Sequence, residues 1–172
     1  MAKQLEFFRT KKNPRLHGGE IGLRKRKNRR PIDVKKPLHV VLRSDRAKGK
    51  LSLLNHQFFI NKCLGRFAGK FNISIYEKAI VGNHIHLLIR GKERKNIQDF
   101  FRTIASLIAR HITKARRGHQ FGKFWSYLLF SRLLNSWKRE FSQVKNYIVK
   151  NTLEALGRIR YIPRKPKSYA LF

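Results

Sequence analysis

Two hydrophobic periods alternate along the chain. Residues 37–44, "PLHVVLRS", are an apolar, β-branched run bounded by turn formers, which predicts a strand. In "LNHQFFINKCLGRFAGKF" the apolar positions Phe58, Phe59, Cys63, Leu64 and Phe67 recur at steps of three and four, which predicts an amphipathic helix. "NISIYEKAIVG" then alternates around Ile73, Ile75, Glu77 and Ala79 as a strand does. Gly82 and Asn83 supply a short turn, and "HIHLLIRG" returns as the second strand of a hairpin.

The clearest helix is "NIQDFFRTIASLIARHITKARRG". Its stripe is Ile97, Phe100, Phe101, Ile104, Leu107, Ile108 and Ile112, with Asn96 as expected cap and Asp99 in the expected first turn. Lys114, Arg116 and Arg117 close it before Gly118, where cations suit the helix dipole. "KFWSYLLFSRLL" reads as an aromatic strand, and "NSWKREFSQVKNYIVKNTLEALG" as a last helix ending at Gly157. The order strand, helix, strand, strand, helix, strand, helix predicts an α+β fold. It is a ferredoxin-like split βαβ with an antiparallel sheet, helices on one face and a C-terminal helix carrying Tyr147.

Charge changes this picture. Among 172 residues, 41 Lys and Arg stand against 9 Asp and Glu, a net charge of +32. No core needs that excess, and self-repulsion costs stability unless a polyanion relieves it. Nucleic acid is the default partner. An anionic membrane is the rival, but no amphipathic anchor with a clean basic face stands out. No apolar run approaches a transmembrane length, and the N-terminus lacks a signal-peptide core, so a cytoplasmic, nucleoid-associated protein is expected. Cys63 is the lone cysteine, which leaves no disulfide frame and no thiolate metal site. Residues 1–35 are expected to form a basic arm, 36–157 the folded domain and 158–172 a basic tail. In the arm, "RKRKNRR" places Arg24, Lys25, Arg26, Lys27, Arg29 and Arg30 in one block, a solvated tail or a polyanion contact.

The candidate chemistry lies in the hairpin and the last helix. His84 and His86 share one strand face, while Ile85 and Leu87 point to the core side. Two imidazoles can present nitrogens to one divalent ion, but strand histidines are also ordinary surface residues, and a site needs a third ligand. Tyr147 and Asn151 are one helical turn apart on one face. An amide oxygen can ligate a cation, while Tyr147 could equally pack beside Val144 and Ile148.

The ordered set resembles the HUH single-tyrosine transposases, and more closely the REP-associated tyrosine transposases. The matching text is "KPLHVVLRS", "VGNHIHLLIRG", "FWSYLLFSRLLNSWKREF" and "VKNYIVKNTLEALG", spanning roughly Pro31 to Gly157. The resemblance implies metal-dependent cleavage and rejoining of single-stranded DNA at hairpin-associated, REP-like sites. Tyr147 would be the nucleophile, leaving a 5′-phosphotyrosine link and a free 3′-OH. His84, His86 and Asn151 would hold Mg²⁺ or Mn²⁺, with Asn151 standing where some relatives have the longer glutamine. Arg24, Lys25, Arg26, Lys27, Arg29 and Arg30 of the arm and Arg43, Arg46, Lys48 and Lys50 of the first loop would hold DNA backbone. Phe124, Trp125 and Trp137 would either stack on bases or fill the core. His39 stays outside the ligand set, Gln143 is a candidate to orient Tyr147, and Glu154 a candidate extra metal contact. A homodimer with exchanged helices is one arrangement known among such proteins. The rival functions are a non-catalytic DNA- or RNA-binding protein and an HUH replication initiator or relaxase. Proteins of that last class often carry two tyrosines on the helix; this helix carries one.

Overall fold

A computed structural model of the chain describes residues 15–23 and 28–161. Arg24, Lys25, Arg26 and Lys27 of the expected DNA contacts lie outside the described residues, as does most of the C-terminal tail. The elements are β1 (Leu16–His17), β2 (Leu38–Arg43), α1 (Gln57–Lys70), β3 (Ile73–Ile80), β4 (His84–Gly91), α2 (Arg94–Thr113), β5 (Phe130–Leu133) and α3 (Arg139–Ala155). Among the described residues the strands form one antiparallel sheet in the order β1-β5-β2-β4-β3. No helix among the described residues is long and apolar enough to cross a membrane.

Alternation along the central strands makes two cores. Leu38, Val40 and Leu42 of β2 join Ile85, Leu87 and Ile89 of β4 on one face, buried against Ile60 and Leu64 of α1 and Ile97, Phe100, Ile104 and Ile108 of α2. The opposite face carries a smaller core of Ala79 and Leu88 with Leu134, covered by Val144 and Ile148 of α3. The helices therefore sandwich the sheet: α1 and α2 cover one side and α3 the other. A bulge in β3 between Ile75 and Glu77 marks Tyr76. The Tyr76 ring meets Phe141 and Trp137 edge-on, at 5.3 and 5.6 Å between centroids.

Several local expectations are corrected. Helix α2 begins at Arg94 with Glu93 as its extended N-cap residue, so Asn96 lies inside the helix. Asp99 follows the first turn and pairs with Lys95 at 2.9 Å and Arg102 at 3.4 Å. Phe58 is 82% exposed, because the buried stripe of α1 runs through Ile60, Cys63 and Leu64. Residues 123–129 are not strand: the Trp125 indole donates to the Ala105 carbonyl at 2.9 Å, folding this stretch over α2.

Part of the stretch expected as an arm belongs to the fold. β1 adds an edge strand beside β5, and Ile32 and Val34 pack on the larger core. Arg30 donates to Ser131 Oγ and to the Leu129 carbonyl, and its own carbonyl accepts from Arg94 at 2.6 Å. Burial, with Arg94 nearby, pushes the Arg30 guanidinium down to about 10. Arg30 thus ties the incoming chain to β5 and α2.

Glu140 ties the start of α3 to the same edge. Its carboxylate accepts from the Asn135 N–H at 2.8 Å and Arg15 at 2.9 Å, with Arg132 at 3.7 Å. Burial alone would raise its pKa, but these partners outweigh that and hold the carboxyl below the usual carboxylate range. A depressed folded pKa stabilises the fold above the unfolded value and loses that stabilisation as pH falls through the folded one. Glu140→Gln is expected to cost about 1.5–3 kcal/mol at pH 7. In urea melts the gap to wild type should close as the pH falls below the ordinary carboxylate range. A gap that stays constant with pH would show that the charge contributes nothing.

Candidate active site

The site lies on the α3 face of the sheet. Cross-strand register places Val41 opposite His86 and Arg43 opposite His84, so these side chains share that face. The His84 and His86 rings stand edge to face with centroids 4.6 Å apart. His84 is half-buried, and its Nδ1 lies 2.7 Å from Asn83 Oδ1, so the turn residue orients this ring. His86 is buried.

Helix α3 brings the rest. Val144, Ile148 and Asn151 form its buried stripe at helical spacing, facing the sheet. Tyr147, beside Ile148, is 37% exposed and leans over the histidines. Its ring stands perpendicular to that of His86 with centroids 5.3 Å apart. Asn151 donates Nδ2 to the Tyr147 carbonyl at 2.6 Å, a bond that does not use its Oδ1. The next residue, Thr152, donates to the Lys78 carbonyl at 3.4 Å, and Ala79 pairs with His86. Tyr147 thus meets His86 within one chain, and Asn151 lies one turn on along the buried stripe of the same helix.

His39 is the residue that sequence reasoning left out. It lies on β2 on the same face, buried, with its Nε2 3.2 Å from His86 Nδ1. Its ring stacks on His86 at 5.4 Å and meets Tyr147 edge-on at 6.2 Å. Burial, with Arg132 nearby, pushes its pKa down to about 4, so it is neutral at pH 7. A neutral His39 can accept the His86 Nδ1 proton, which leaves the lone pair of the His86 ring on Nε2. The sequence signal for it was alternation: His39 shares a strand face with Val41, two residues on.

The remaining candidates separate. Among the described residues no group of three or more His, Cys, Asp or Glu stands in a metal-holding arrangement. Lys150 lies 3.8 Å from the Glu154 carboxylate. Gln143 is exposed. Phe124 is buried in the larger core, which corrects the stacking expectation for it. Trp137 is 41% exposed but donates to the Lys35 carbonyl at 3.1 Å, with Arg90 over its ring. Arg29, Arg43, Arg46, Lys48 and Lys50 are all exposed. Arg43 lies 3.3 Å from Asp45, and Arg46 donates to the Phe121 carbonyl at 3.1 Å.

This arrangement has a family. The model of the IS200-like transposases matches residues 35–151, and the chain belongs to that family. Within that class, its fold is similar to a solved REP-associated tyrosine transposase bound to a REP hairpin. The two superpose with a TM-score of 0.61 at 11% identity, over 76% of this chain and 74% of the other. A protein from Deinococcus radiodurans R1 assigned as a transposase aligns at 18% identity with a TM-score of 0.42, over 74% of this chain and 98% of the other. No curated protein matches the chain.

The placement of His39 makes a pH prediction. Its ring should stay neutral from pH 8 to 5.5 in the folded protein, giving nitrogen-15 imidazole shifts that do not move. A midpoint near the ordinary histidine value of about 6.5 would contradict its burial.

Proposed function

We propose that the chain is a metal-dependent single-stranded DNA transposase that cuts and rejoins DNA through a 5′-phosphotyrosine intermediate. The observation that carries this reading is the Tyr147 ring standing 5.3 Å from His86, with His84 on the same face. A half-exposed phenol ring beside two imidazoles supports that reading. A tyrosine kept only for packing has no need of either.

On this reading the Tyr147 oxygen attacks the scissile phosphorus. A bond forms between that oxygen and phosphorus, and the bond from phosphorus to the 3′ oxygen breaks. The phenol proton leaves, and the departing 3′ oxygen takes one up as a free 3′-OH. The phosphodiester energy is kept in the tyrosyl link, so a second 3′-OH can reverse the step without a nucleotide cofactor. His84, His86 and the Asn151 amide oxygen would hold Mg²⁺ or Mn²⁺, whose chemistry is to polarise the phosphate and offset the charge developing on it. His39 would act through His86, holding its Nδ1 proton and so its orientation. Asn151 would hold its oxygen in place by tethering its own nitrogen to the Tyr147 carbonyl.

The substrate proposed is a DNA hairpin with an unpaired flank, in keeping with the hairpin bound by the structural neighbour. Arg43 is best placed of the predicted cations for backbone near the site, since it pairs across from His84. Each protomer would carry a complete site, and a homodimer would pair two of them without exchanging α3.

The test is incubation of the full chain with labelled single-stranded hairpin DNA and Mn²⁺. Wild type is expected to form an adduct that survives denaturation and is removed by protease. Tyr147→Phe should form none, and His86→Ala should slow its formation by about a hundredfold or more. Unchanged adduct in Tyr147→Phe would sink the assignment of the nucleophile. Tight binding with no adduct from wild type, across a broad hairpin library, would leave a binding protein instead.

A further inference from the structure

The segment between α2 and β5 borders an open groove of about 740 Å³ that no part of the proposed chemistry uses. Its floor is apolar and aromatic, with Phe121, Trp125 and Leu128. Its walls carry Arg110, Arg116, Arg117 and Lys123, and no carboxylate lines it. The volume falls within the range of about 300–1,000 Å³ common for ligand sites. Leu128 is 63% exposed there, an unusual setting for a leucine beside four cations.

The walls are built. Arg116 and His119 exchange two backbone hydrogen bonds, at 3.1 and 2.9 Å, closing a tight turn. Gly118 sits in that turn with φ of 78°, a conformation that favours glycine. The turn holds Arg116 and Arg117 at the rim. Trp125 is fixed by its bond to Ala105, and Phe121 by Arg46, which donates to its carbonyl and lies 5.3 Å over its ring.

The groove segment is also anchored to β2. Ser126, between groove residues Trp125 and Tyr127, donates its N–H to the Arg43 carbonyl at 3.0 Å. Arg43 pairs directly across from His84. The groove segment and the histidine hairpin thus both bond to the last residue of β2.

We propose that this groove seats an unpaired nucleotide of the DNA strand flanking the cleaved phosphate. The base would lie on the apolar floor, and adjacent phosphates would meet Arg116, Arg117 and Lys123. An apolar floor ringed by cations without a carboxylate suits a flat base carrying anionic neighbours. A purely apolar or neutral ligand leaves the cations without purpose, and an anionic ligand without a ring leaves the floor without one. The direction of the strand rests on the function proposed above; binding in the groove does not.

The test is fluorescence anisotropy with the full chain carrying Tyr147→Phe, so that no covalent step intervenes. The probes are one labelled DNA hairpin, blunt or with about five unpaired nucleotides on its 5′ or its 3′ side. The flanked hairpin is expected to bind more tightly than the blunt one. Arg116→Ala, Arg117→Ala and Lys123→Ala together should remove that preference and lower the salt dependence of flanked binding by about 2 in log–log slope. Leu128→Glu, a surface change that should leave folding intact, is expected to weaken flanked binding about tenfold. Lys62→Ala, Arg66→Ala and Lys70→Ala, which remove three exposed charges of α1 outside the groove, should leave the preference in place. No preference for a flank, or equal losses from the α1 and groove triples, would overturn the proposal. Adduct formation by wild type without flank preference would sink the groove but keep the enzyme. Flank preference without adduct would do the reverse.

Discussion

Everything at the site depends on β4 being buried on both faces. Ile85, Leu87 and Ile89 belong to the larger core, and Leu88 belongs to the smaller one under α3. Strand alternation then forces His84 and His86 onto the side of the smaller core. Packing of Val144 and Ile148 against Ala79, Leu88 and Leu134 sets the height and rotation of α3. Tyr147 adjoins Ile148 in the chain, so the same contact that covers the sheet places the phenol ring over His86. A rotation of the helix by one residue, about 100°, would replace it with Ile148 or Asn146.

The smaller core is modest, with five buried side chains and Phe141 at its margin. Polar anchors at both ends of α3 compensate for its size. Glu140 holds the N-terminal end through Arg15, Arg132 and the Asn135 N–H. Thr152 reaches the Lys78 carbonyl at the other end. Glu140 thus anchors the start of the helix that carries Tyr147, and β1 follows Arg15, one of its partners.

Much of this was legible in the residues. The periods of α2, α3 and the β3–β4 hairpin are strong because each buries one continuous stripe, and they fixed the order of elements. The histidine pair and the Tyr147–Asn151 spacing were legible for the same reason, since strand and helix geometry decide which side chains share a face. The misses have physical causes. Asn96 has good capping chemistry, but the extended backbone at Glu93 starts the helix earlier. Residues 123–129 have strand composition, yet the Trp125 indole finds its acceptor on α2. Arg30 sits in a run of identical charges, and nothing local shows that one of them turns inward to Ser131 and Leu129. His39 was visible as a strand histidine, but its partner lies 47 residues away across a sheet register that no local pattern reveals.

The scarcity of acids sharpens the proposed chemistry. Glu140, Asp99, Asp45 and Asp33 each lie within ion-pair distance of a Lys or Arg, and Glu20 accepts from Tyr127 at 3.2 Å. The proposed ligands are instead two imidazoles and an amide, all neutral. A carboxylate in their place would bind a divalent ion more tightly but would cancel part of its charge and repel the incoming phosphate. Neutral ligands would leave nearly the full double charge of a bound ion to act on the phosphate, at the expense of affinity for the free ion. The phosphate would then supply the negative charge that the ligands lack, so ion and substrate would bind with mutual reinforcement. A surface of net charge +32 makes that coupling useful, because it concentrates the polyanion at the site before the ion is needed.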